Sequence, residues 1–148
     1  MRARAAAGLE VLKNHKLTDT KHIAAIGYCF GGTTVLELAR SGAEIAGVIS
    51  FHGGLDTPAP EDARQIKAKV LALHGGDDPF VPVEHVIAFQ DEMRKGGVDW
   101  QMVSYGGAVH SFTVPEAGND PSKGMAYNEK ADKRSWEAAK TFFTEIFR

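Results

Sequence analysis

Apolar positions along the chain follow two periods that alternate. At helical spacing they predict amphipathic helices, as where Ala5, Leu9 and Leu12 share one face of residues 3–15. Between the helices, short apolar or alternating runs predict strands. The predicted strands lie at 23–26, 45–51, 70–73 and 98–102. Further helices are predicted at 33–40, at 83–93 and in the C-terminal segment.

Alternating strands and helices of this length predict an α/β fold, a parallel sheet of four strands with helices on both faces. The chain has 148 residues, of which 43% are hydrophobic, so a single domain over 1–148 with a sizeable core is expected. No low-complexity tract or long linker divides it. Ligand sites in such sheets lie at the carboxyl ends of the strands, which directs attention to the residues that follow each strand.

The apolar stripe of a helix predicts which of its faces is buried. In the helix at 83–93, the stripe consists of Val83, Val86, Ile87 and Met93. In the C-terminal helix, the stripe consists of Trp136, Ala139, Phe143 and Ile146. The aromatic residues Trp136, Phe142, Phe143 and Phe147 are interpreted as core packing.

Charge and composition exclude several classes of protein. Seventeen basic and 19 acidic residues give a net charge of −2, which disfavours a nucleic-acid partner. No apolar run is long enough to span a bilayer, and the N-terminal segment is interrupted by Glu10 and Lys13, unlike a signal peptide. A single cysteine excludes an internal disulfide. Together these features predict a cytoplasmic protein that does not contact membranes.

The segment Gly-Tyr-Cys-Phe-Gly-Gly at 27–32 lies between a predicted strand and a predicted helix. This is the pattern of a nucleophile elbow, G-x-S-x-G, with cysteine in place of serine. The sharp turn needs small residues two before and two after Cys29, because strand and helix backbones approach closely there. Unpaired N–H groups at the helix start favour the thiolate form of Cys29, and the Phe30 N–H is the expected first oxyanion donor. The alternative is a small buried cysteine with no chemical role.

A thiol nucleophile needs a base and an acid that orients the base. In this kind of fold the order along the chain is nucleophile, then acid, then histidine. Asp78 follows the third strand in Asp-Pro-Phe-Val-Pro, and His110 follows the fourth strand in a glycine-containing loop. Asp77 and Asp56 remain alternatives for the acid, since both also follow strands. The other five histidines are interpreted as site walls or exposed residues. His52 and His74 are predicted to be hydrogen-bonded walls, and His15, His22 and His85 to be exposed.

With these motifs, the chain resembles the dienelactone hydrolase family of α/β-hydrolases from about residue 8 to its C-terminus. The resemblance implies that Cys29 is the nucleophile, Asp78 the triad acid and His110 the base. It further implies that the four strands form the C-terminal half of an eight-stranded sheet, and that small esters or lactones are the substrates. Tyr28, Phe30 and Val114 are the candidate substrate-binding and oxyanion positions.

Two departures from the family pattern change these expectations. The strands that precede the elbow in complete members are absent, and they carry the second oxyanion donor, whose loss costs about 10²–10³ in rate. The elbow strand is then expected to be an unpaired apolar edge, completed by the missing half or by a second copy of the chain. Known dienelactone hydrolases have an arginine four residues after the histidine, where this chain has Val114. A neutral substrate is therefore expected, and phosphotriesters are candidates for a side activity.

Motifs for cofactors are absent from the sequence. No H-E-x-x-H or related spacing predicts a metal site, and no glycine-rich phosphate loop predicts a nucleotide, so no cofactor is expected. Two functions of other classes remain open. The chain is alternatively a non-catalytic interaction module, or a redox-active thiol that needs an external partner thiol.

Overall fold

Four parallel strands form one sheet in the order β1-β2-β3-β4, so that each strand lies beside its neighbour in sequence. The computed structural model describes residues 1–148. The strands are β1 (Ala24–Tyr28), β2 (Gly47–Phe51), β3 (Lys69–Gly75) and β4 (Trp100–Tyr105). The helices are α1 (Arg2–Lys13), α2 (Phe30–Arg40), α3 (Val83–Gly96) and α4 (Glu129–Ile146). Short 3₁₀ turns lie at Pro60–Gln65, Pro115–Ala117 and Pro121–Lys123.

Side chains that alternate along the central strands divide the core into two layers. Val48 and Val70 pack on one face with residues of α2 and α3. Ile49 and Leu71, the next residues along, pack on the opposite face with α4. This alternation is the period of two expected of a strand that is buried on both faces. The predicted α/β architecture, with helices on both faces of a parallel four-stranded sheet, is confirmed.

Two helices bury only part of the apolar stripe that their sequence pattern predicted. Met93 in α3 and Ala139 in α4 are buried as predicted. In α3, Val83 and Ile87 are 62% and 55% exposed, while Phe89 and Met93 are buried. In α4, Trp136 is 45% exposed and Phe142 is buried in place of Phe143. Both helices carry apolar residues over a wide arc, so spacing alone does not decide which edge of the arc faces the sheet. The contact with the sheet selects that edge.

A buried ion cluster joins α2, α3 and the loop after β2. The guanidinium of Arg40 is fully buried and donates to both carboxylate oxygens of Glu92, at 2.7 and 2.8 Å. It also donates to Glu37 at 2.9 Å and to the carbonyl of Leu55 at 2.9 Å. Arg2 of α1 donates to Glu37 from the other side, at 2.7 Å. A charge buried this deeply is tolerated because each of the three guanidinium nitrogens donates to an acceptor and two carboxylates neutralise the charge.

Strand β1 is an edge of the sheet, paired on one side only, with β2. Ile26 is 40% exposed on this edge. An apolar cavity of about 250 Å³ lies beside it, bounded by β1, α1 and α2. None of the helices has the length and apolar character needed to cross a membrane.

Candidate active site

Cys29 occupies the single residue between β1 and α2, at the carboxyl end of the sheet. Its backbone has φ of +50° and ψ of −120°, a conformation that residues with a β-carbon rarely adopt. A β-carbon on Gly27 would overlap the backbone carbonyl of Gly31, so the strand–helix approach predicted at this turn is present. The turn therefore has the sharp, strained geometry of a nucleophile elbow.

The glycines after Cys29 play different parts from those predicted. A β-carbon on Gly31 would meet nothing within 4 Å, so this position does not need glycine for space. A β-carbon on Gly32 would lie 2.6 Å from the Ser50 hydroxyl oxygen and 3.0 Å from the Cα of Gly53. The prediction that the residue two after Cys29 must be small was therefore wrong, since Gly31 has room for a side chain. The tight contact lies one residue later, where α2 packs against the end of β2.

Helix α2 begins at Phe30, three residues before its predicted start, with Cys29 as its N-cap. The N–H of Phe30 donates no hydrogen bond within the chain, as expected of the first residue of a helix. A free N–H beside the Cys29 thiol has the position that an oxyanion donor needs.

His110 and Asp78 form a close pair on the loops after β4 and β3. Nδ1 of His110 lies 2.8 Å from Oδ2 of Asp78, whose side chain is fully buried. The other carboxylate oxygen accepts from the N–H of Phe80 at 2.9 Å. Because an ionised carboxylate only accepts, Nδ1 carries the proton and Nε2 of His110 is left with a lone pair.

Neither alternative acid lies at His110. Asp77 is exposed and accepts from the N–H of Gly107 at 3.2 Å, as a turn residue does. Asp56 is exposed, and its nearest cationic partner is His85 at 4.0 Å. Of the three carboxylates considered from the sequence, the structure brings only Asp78 to the histidine.

The thiol of Cys29 has two close polar neighbours that the sequence did not predict as its partners. Sγ lies 3.3 Å from Nδ1 of His52 and 3.3 Å from Oγ of Ser111. The thiol and the imidazole nitrogens of His52 and His110 all lie within 4.8 Å of one another. His110 makes no hydrogen bond to Sγ in this arrangement, so proton transfer between them requires rotation of the Cys29 side chain.

His52 is fully buried at the end of β2, and its hydrogen bonds define its tautomer. The backbone N–H of Cys29 donates to Nδ1 at 3.2 Å, so Nδ1 has the lone pair. Nε2, which carries the proton, donates to Oγ1 of Thr113 at 2.8 Å. Burial, aided by the nearby His110, lowers the pKa of His52 to about 4, so the ring is neutral at pH 7. The prediction that His52 is a hydrogen-bonded wall omitted its contact with the thiol.

Three residues other than glycine have positive φ in this chain, and all three meet at the thiol. They are Cys29 at +50°, His52 at +39° and Ser111 at +58°. Each follows or lies near the end of a different strand, so their proximity arises from the tertiary fold. No local sequence signal marks Ser111 or Thr113, which contact the site from positions just after His110.

The remaining histidines lie away from the thiol. His74 is buried, its Nδ1 has no hydrogen-bond partner, and burial lowers its pKa. His15 and His22 are exposed, and the side chain of His85 is 41% exposed. The positions of His15, His22 and His85 agree with their prediction as exposed residues, whereas Nδ1 of the buried His74 lacks the hydrogen bond predicted for it.

Aromatic side chains border the opening above the thiol. Tyr28 stacks on Phe51 with ring centroids 4.5 Å apart and is 43% exposed. Phe30 is 72% exposed, and Phe80 packs edge-on against His110 at 5.5 Å. Val114 is half-buried on the loop that carries His110. None of these side chains brings a positive charge to the site.

Comparison with known proteins gives matches over nearly the whole chain. An uncharacterized Caenorhabditis elegans protein, K02A2.1, is 36% identical over 149 residues, covering 99% of this chain and 94% of the worm protein. A Yersinia pestis relative that carries the name carboxymethylenebutenolidase is 27% identical over 86% of this chain. Among solved structures, the dienelactone hydrolase-like promiscuous phosphotriesterase P91 from metagenomic libraries superposes with a TM-score of 0.89 and 46% identity, over 98% of this chain.

The lengths of these relatives differ. The chain spans 48% of the Yersinia pestis protein and 61% of P91, but nearly all of the worm protein. The sequence model of the dienelactone hydrolase family matches residues 1–147. Because that match extends over almost every residue, the chain belongs to the dienelactone hydrolase family.

Proposed function

We propose that this chain hydrolyses small activated esters or lactones, with Cys29 as nucleophile, His110 as general base and Asp78 as the acid that orients His110. The observation that carries the proposal is the convergence of three loops on one point. The His110 ring is held by Asp78 at 2.8 Å, and one of its nitrogens lies within 4.8 Å of the Cys29 sulfur. A nucleophile, a base and an orienting group in this relation are the components of acyl transfer.

The reaction proceeds in two halves. The Cys29 proton passes to Nε2 of His110, and the sulfur attacks the acyl carbon to form a C–S bond. The oxygen of the tetrahedral intermediate accepts from the Phe30 N–H. Collapse breaks the bond to the leaving oxygen, which takes the proton from His110. Water then gives a proton to His110 and attacks the thioester, releasing the carboxylic acid and returning the thiol.

Neutral substrates fit this site better than anions. The half-buried Val114 offers no positive charge to a substrate carboxylate, and the residues at the opening are aromatic. The name of the P91 relative, which is 46% identical, describes phosphotriesterase promiscuity. Neutral phosphotriesters with good leaving groups are therefore the proposed side substrates of this chain. A kcat/KM for an anionic dienelactone well above that for neutral aryl esters would contradict this preference.

We infer that β1 pairs with a further strand in the active protein, supplied by the N-terminal half of the fold. Two observations support the inference. The β1 edge is unpaired and apolar beside a cavity of about 250 Å³, and P91 is longer than this chain. The added half is the proposed source of the second oxyanion donor, so the 148 residues alone are expected to turn over slowly.

Light scattering and steady-state rates test this inference on the full chain. The exposed apolar edge is expected to cause self-association, which Ile26→Lys reduces and Leu17→Lys, at an exposed position outside the sheet, leaves unchanged. A monodisperse monomer that turns over esters at rates typical of complete hydrolases would overturn it. A stable dimer abolished by Ile26→Lys would identify a second copy as the occupant instead.

Burst kinetics with a neutral aryl ester test the catalytic proposal directly. Acylation of Cys29 releases one equivalent of phenol per chain, even where later turnover is slow. Cys29→Ala is expected to abolish the burst, and mass spectrometry is expected to place the acyl group on Cys29. A burst that persists in Cys29→Ala, or acylation of another residue, would contradict the proposal. Iodoacetamide labelling no faster than that of a free thiol would count against an activated sulfur.

A further inference from the structure

Two imidazoles lie close to the same sulfur, each through one ring nitrogen. Nδ1 of His52 accepts from the Cys29 N–H, and Nε2 of His110 is left free by the bond from its Nδ1 to Asp78. The structure therefore gathers three electron-pair donors, one sulfur and two nitrogens, within 4.8 Å of one another. This group is separate from the triad in one respect: His52 has no part in the acyl-transfer steps above.

We propose that Cys29, His52 and His110 form a three-ligand site for Zn²⁺, and that zinc bound there reversibly blocks the nucleophile. Zinc is bound by thiolate at about 2.3 Å and by imidazole at about 2.0–2.1 Å in tetrahedral geometry, so its ligands lie about 3.5 Å apart. The Sγ–Nδ1 separation of 3.3 Å already has this value. The other pairs, at up to 4.8 Å, need to close by at most about 1.3 Å, which takes rotation of the Cys29 side chain together with a small shift of the His110 ring.

Both imidazoles have the outer hydrogen bonds that metal-binding histidines require. The ring nitrogen of each that faces away from the sulfur is held by an oxygen at 2.8 Å, Asp78 Oδ2 for His110 and Thr113 Oγ1 for His52. Such partners fix the tautomer and the orientation of the ring, and their loss typically weakens metal binding 10–100-fold.

The hydrogen bonds of His52 leave one of its ring nitrogens free for a metal. Nε2 donates to Thr113 Oγ1, so the lone pair lies on Nδ1, 3.3 Å from the Cys29 sulfur. The thiol of Cys29 gives up its proton when the sulfur binds metal. The Cys29 N–H also donates to the carbonyl of Phe51 at 3.0 Å, so it keeps a partner when Nδ1 turns its lone pair to the metal.

The donor set selects the class of metal. One sulfur and two imidazole nitrogens suit Zn²⁺ and its spectroscopic substitute Co²⁺, whereas Mg²⁺ and Ca²⁺ prefer oxygen ligands. Three protein ligands leave the fourth tetrahedral position for a ligand from outside the chain. Bound zinc occupies the sulfur electron pair and the His110 nitrogen that acyl transfer uses. The inhibition thus rests on the proposed function, whereas the binding does not.

Cobalt titration of the reduced, metal-free full chain tests the site without any activity measurement. We expect one Co²⁺ per chain and a sulfur-to-cobalt charge-transfer band in the near ultraviolet. Cys29→Ser is expected to remove the band. His52→Gln is expected to weaken binding at least about tenfold, whereas His85→Gln, which removes a surface histidine on α3, leaves it unchanged.

Thr113→Val provides a second test that leaves all three ligands in place, and circular dichroism checks that each variant folds. This variant is expected to weaken Co²⁺ binding about tenfold by freeing the outer nitrogen of His52. Absence of the charge-transfer band in the folded wild-type chain, or equal affinity in wild type, His52→Gln and Thr113→Val, would overturn the proposal.

Zinc inhibition of the aryl-ester burst tests the functional consequence. We expect one equivalent of Zn²⁺ to suppress the burst and a chelator to restore it, with at least about tenfold more Zn²⁺ needed in His52→Gln. A burst that persists at saturating zinc would contradict the inhibition. A cobalt band without any burst in the metal-free chain would support the metal site and contradict the hydrolase proposal. A burst without a cobalt band would support the hydrolase proposal and contradict the metal site.

Discussion

Asp78 and His110 lie 2.8 Å apart, carboxylate oxygen to Nδ1, on loops 32 residues apart in sequence. The Asp78 side chain is fully buried, whereas the adjacent Asp77 is exposed and accepts from the backbone N–H of Gly107 on the loop after β4. Two neighbouring carboxylates thus occupy contrasting environments. Asp78 and Asp77 therefore allow a matched comparison, in which the same aspartate-to-asparagine change is made at the site and next to it.

Asp78→Asn is expected to slow acylation of Cys29 by about 10²–10⁴-fold, because an amide does not hold the proton on Nδ1 of His110. Asp77→Asn is expected to change the rate less than about twofold. Stopped-flow release of phenol from an aryl ester measures both. Equal effects of the two substitutions would exclude Asp78 as the orienting acid.

Gly27 and Gly31 are expected to respond in opposite ways to alanine. Gly27→Ala forces a methyl group into the Gly31 carbonyl and should destabilise the fold by about 3 kcal/mol or more. Gly31→Ala adds a methyl group to open space in the first turn of α2 and should be neutral or stabilising by up to about 1 kcal/mol. Urea unfolding measures both. A Gly27→Ala variant as stable as wild type would show that the elbow is wider than described.

The free energy of unfolding is expected to fall as the pH is lowered from 6.5 to 5. In this range the unfolded chain protonates at His52, whose ordinary pKa is 6.5, while the folded chain, with a pKa of about 4, does not. At 1.36 kcal/mol per pH unit, His52 accounts for a loss of about 2 kcal/mol over this window. The buried His74, whose pKa is also lowered, acts in the same direction.

Urea unfolding of His52→Gln and of His85→Gln at both pH values isolates this contribution. Loss of His52 is expected to flatten the pH dependence, and loss of the part-exposed His85 is not. The groups that face His52 are the Cys29 thiol, His110 and Asp78, so the same measurements are made on Cys29→Ala. An unchanged slope in His52→Gln would contradict the prediction.

Replacing one member of the buried Arg40 cluster is expected to lower the free energy of unfolding much more than replacing both charged partners together. Arg40→Met leaves the Glu92 carboxylate buried without a cation and should destabilise by about 3–5 kcal/mol. Adding Glu92→Leu should recover most of that loss. Arg94→Met, which breaks an exposed pair with Asp91, should cost less than about 1 kcal/mol. A double variant less stable than Arg40→Met alone would refute this account.

Sequence patterns located the strands and the elbow because both depend on local spacing. Apolar runs of four to seven residues marked β1 to β3, and the glycines around Cys29 marked the turn between β1 and α2. The start of α2 at Phe30 was missed, because Gly31 and Gly32 have low helix propensity and tertiary packing overrides it. The buried faces of α3 and α4 were predicted only in part, since the sheet determines which edge of a broad apolar arc is covered.

The contacts of the thiol were beyond what spacing predicts. His52 and Ser111 lie 23 and 82 residues from Cys29, and only the parallel register of the sheet brings them to its sulfur. The expectation of no metal site rested on the absence of local ligand motifs. Ligands from three separate loops leave no such motif, so the sequence could neither support nor exclude the arrangement.

The positive φ angles at Cys29, His52 and Ser111 have a thermodynamic consequence. Unfavourable backbone conformations cost about 1–3 kcal/mol each, which together is a substantial part of the 5–15 kcal/mol that typically stabilises a domain. The packing of the sheet and helices must therefore offset this local cost in addition to providing the net stability of the fold. Substitutions that remove these strained conformations would raise the melting temperature, and they are expected to lower the reactivity of the thiol at the same time.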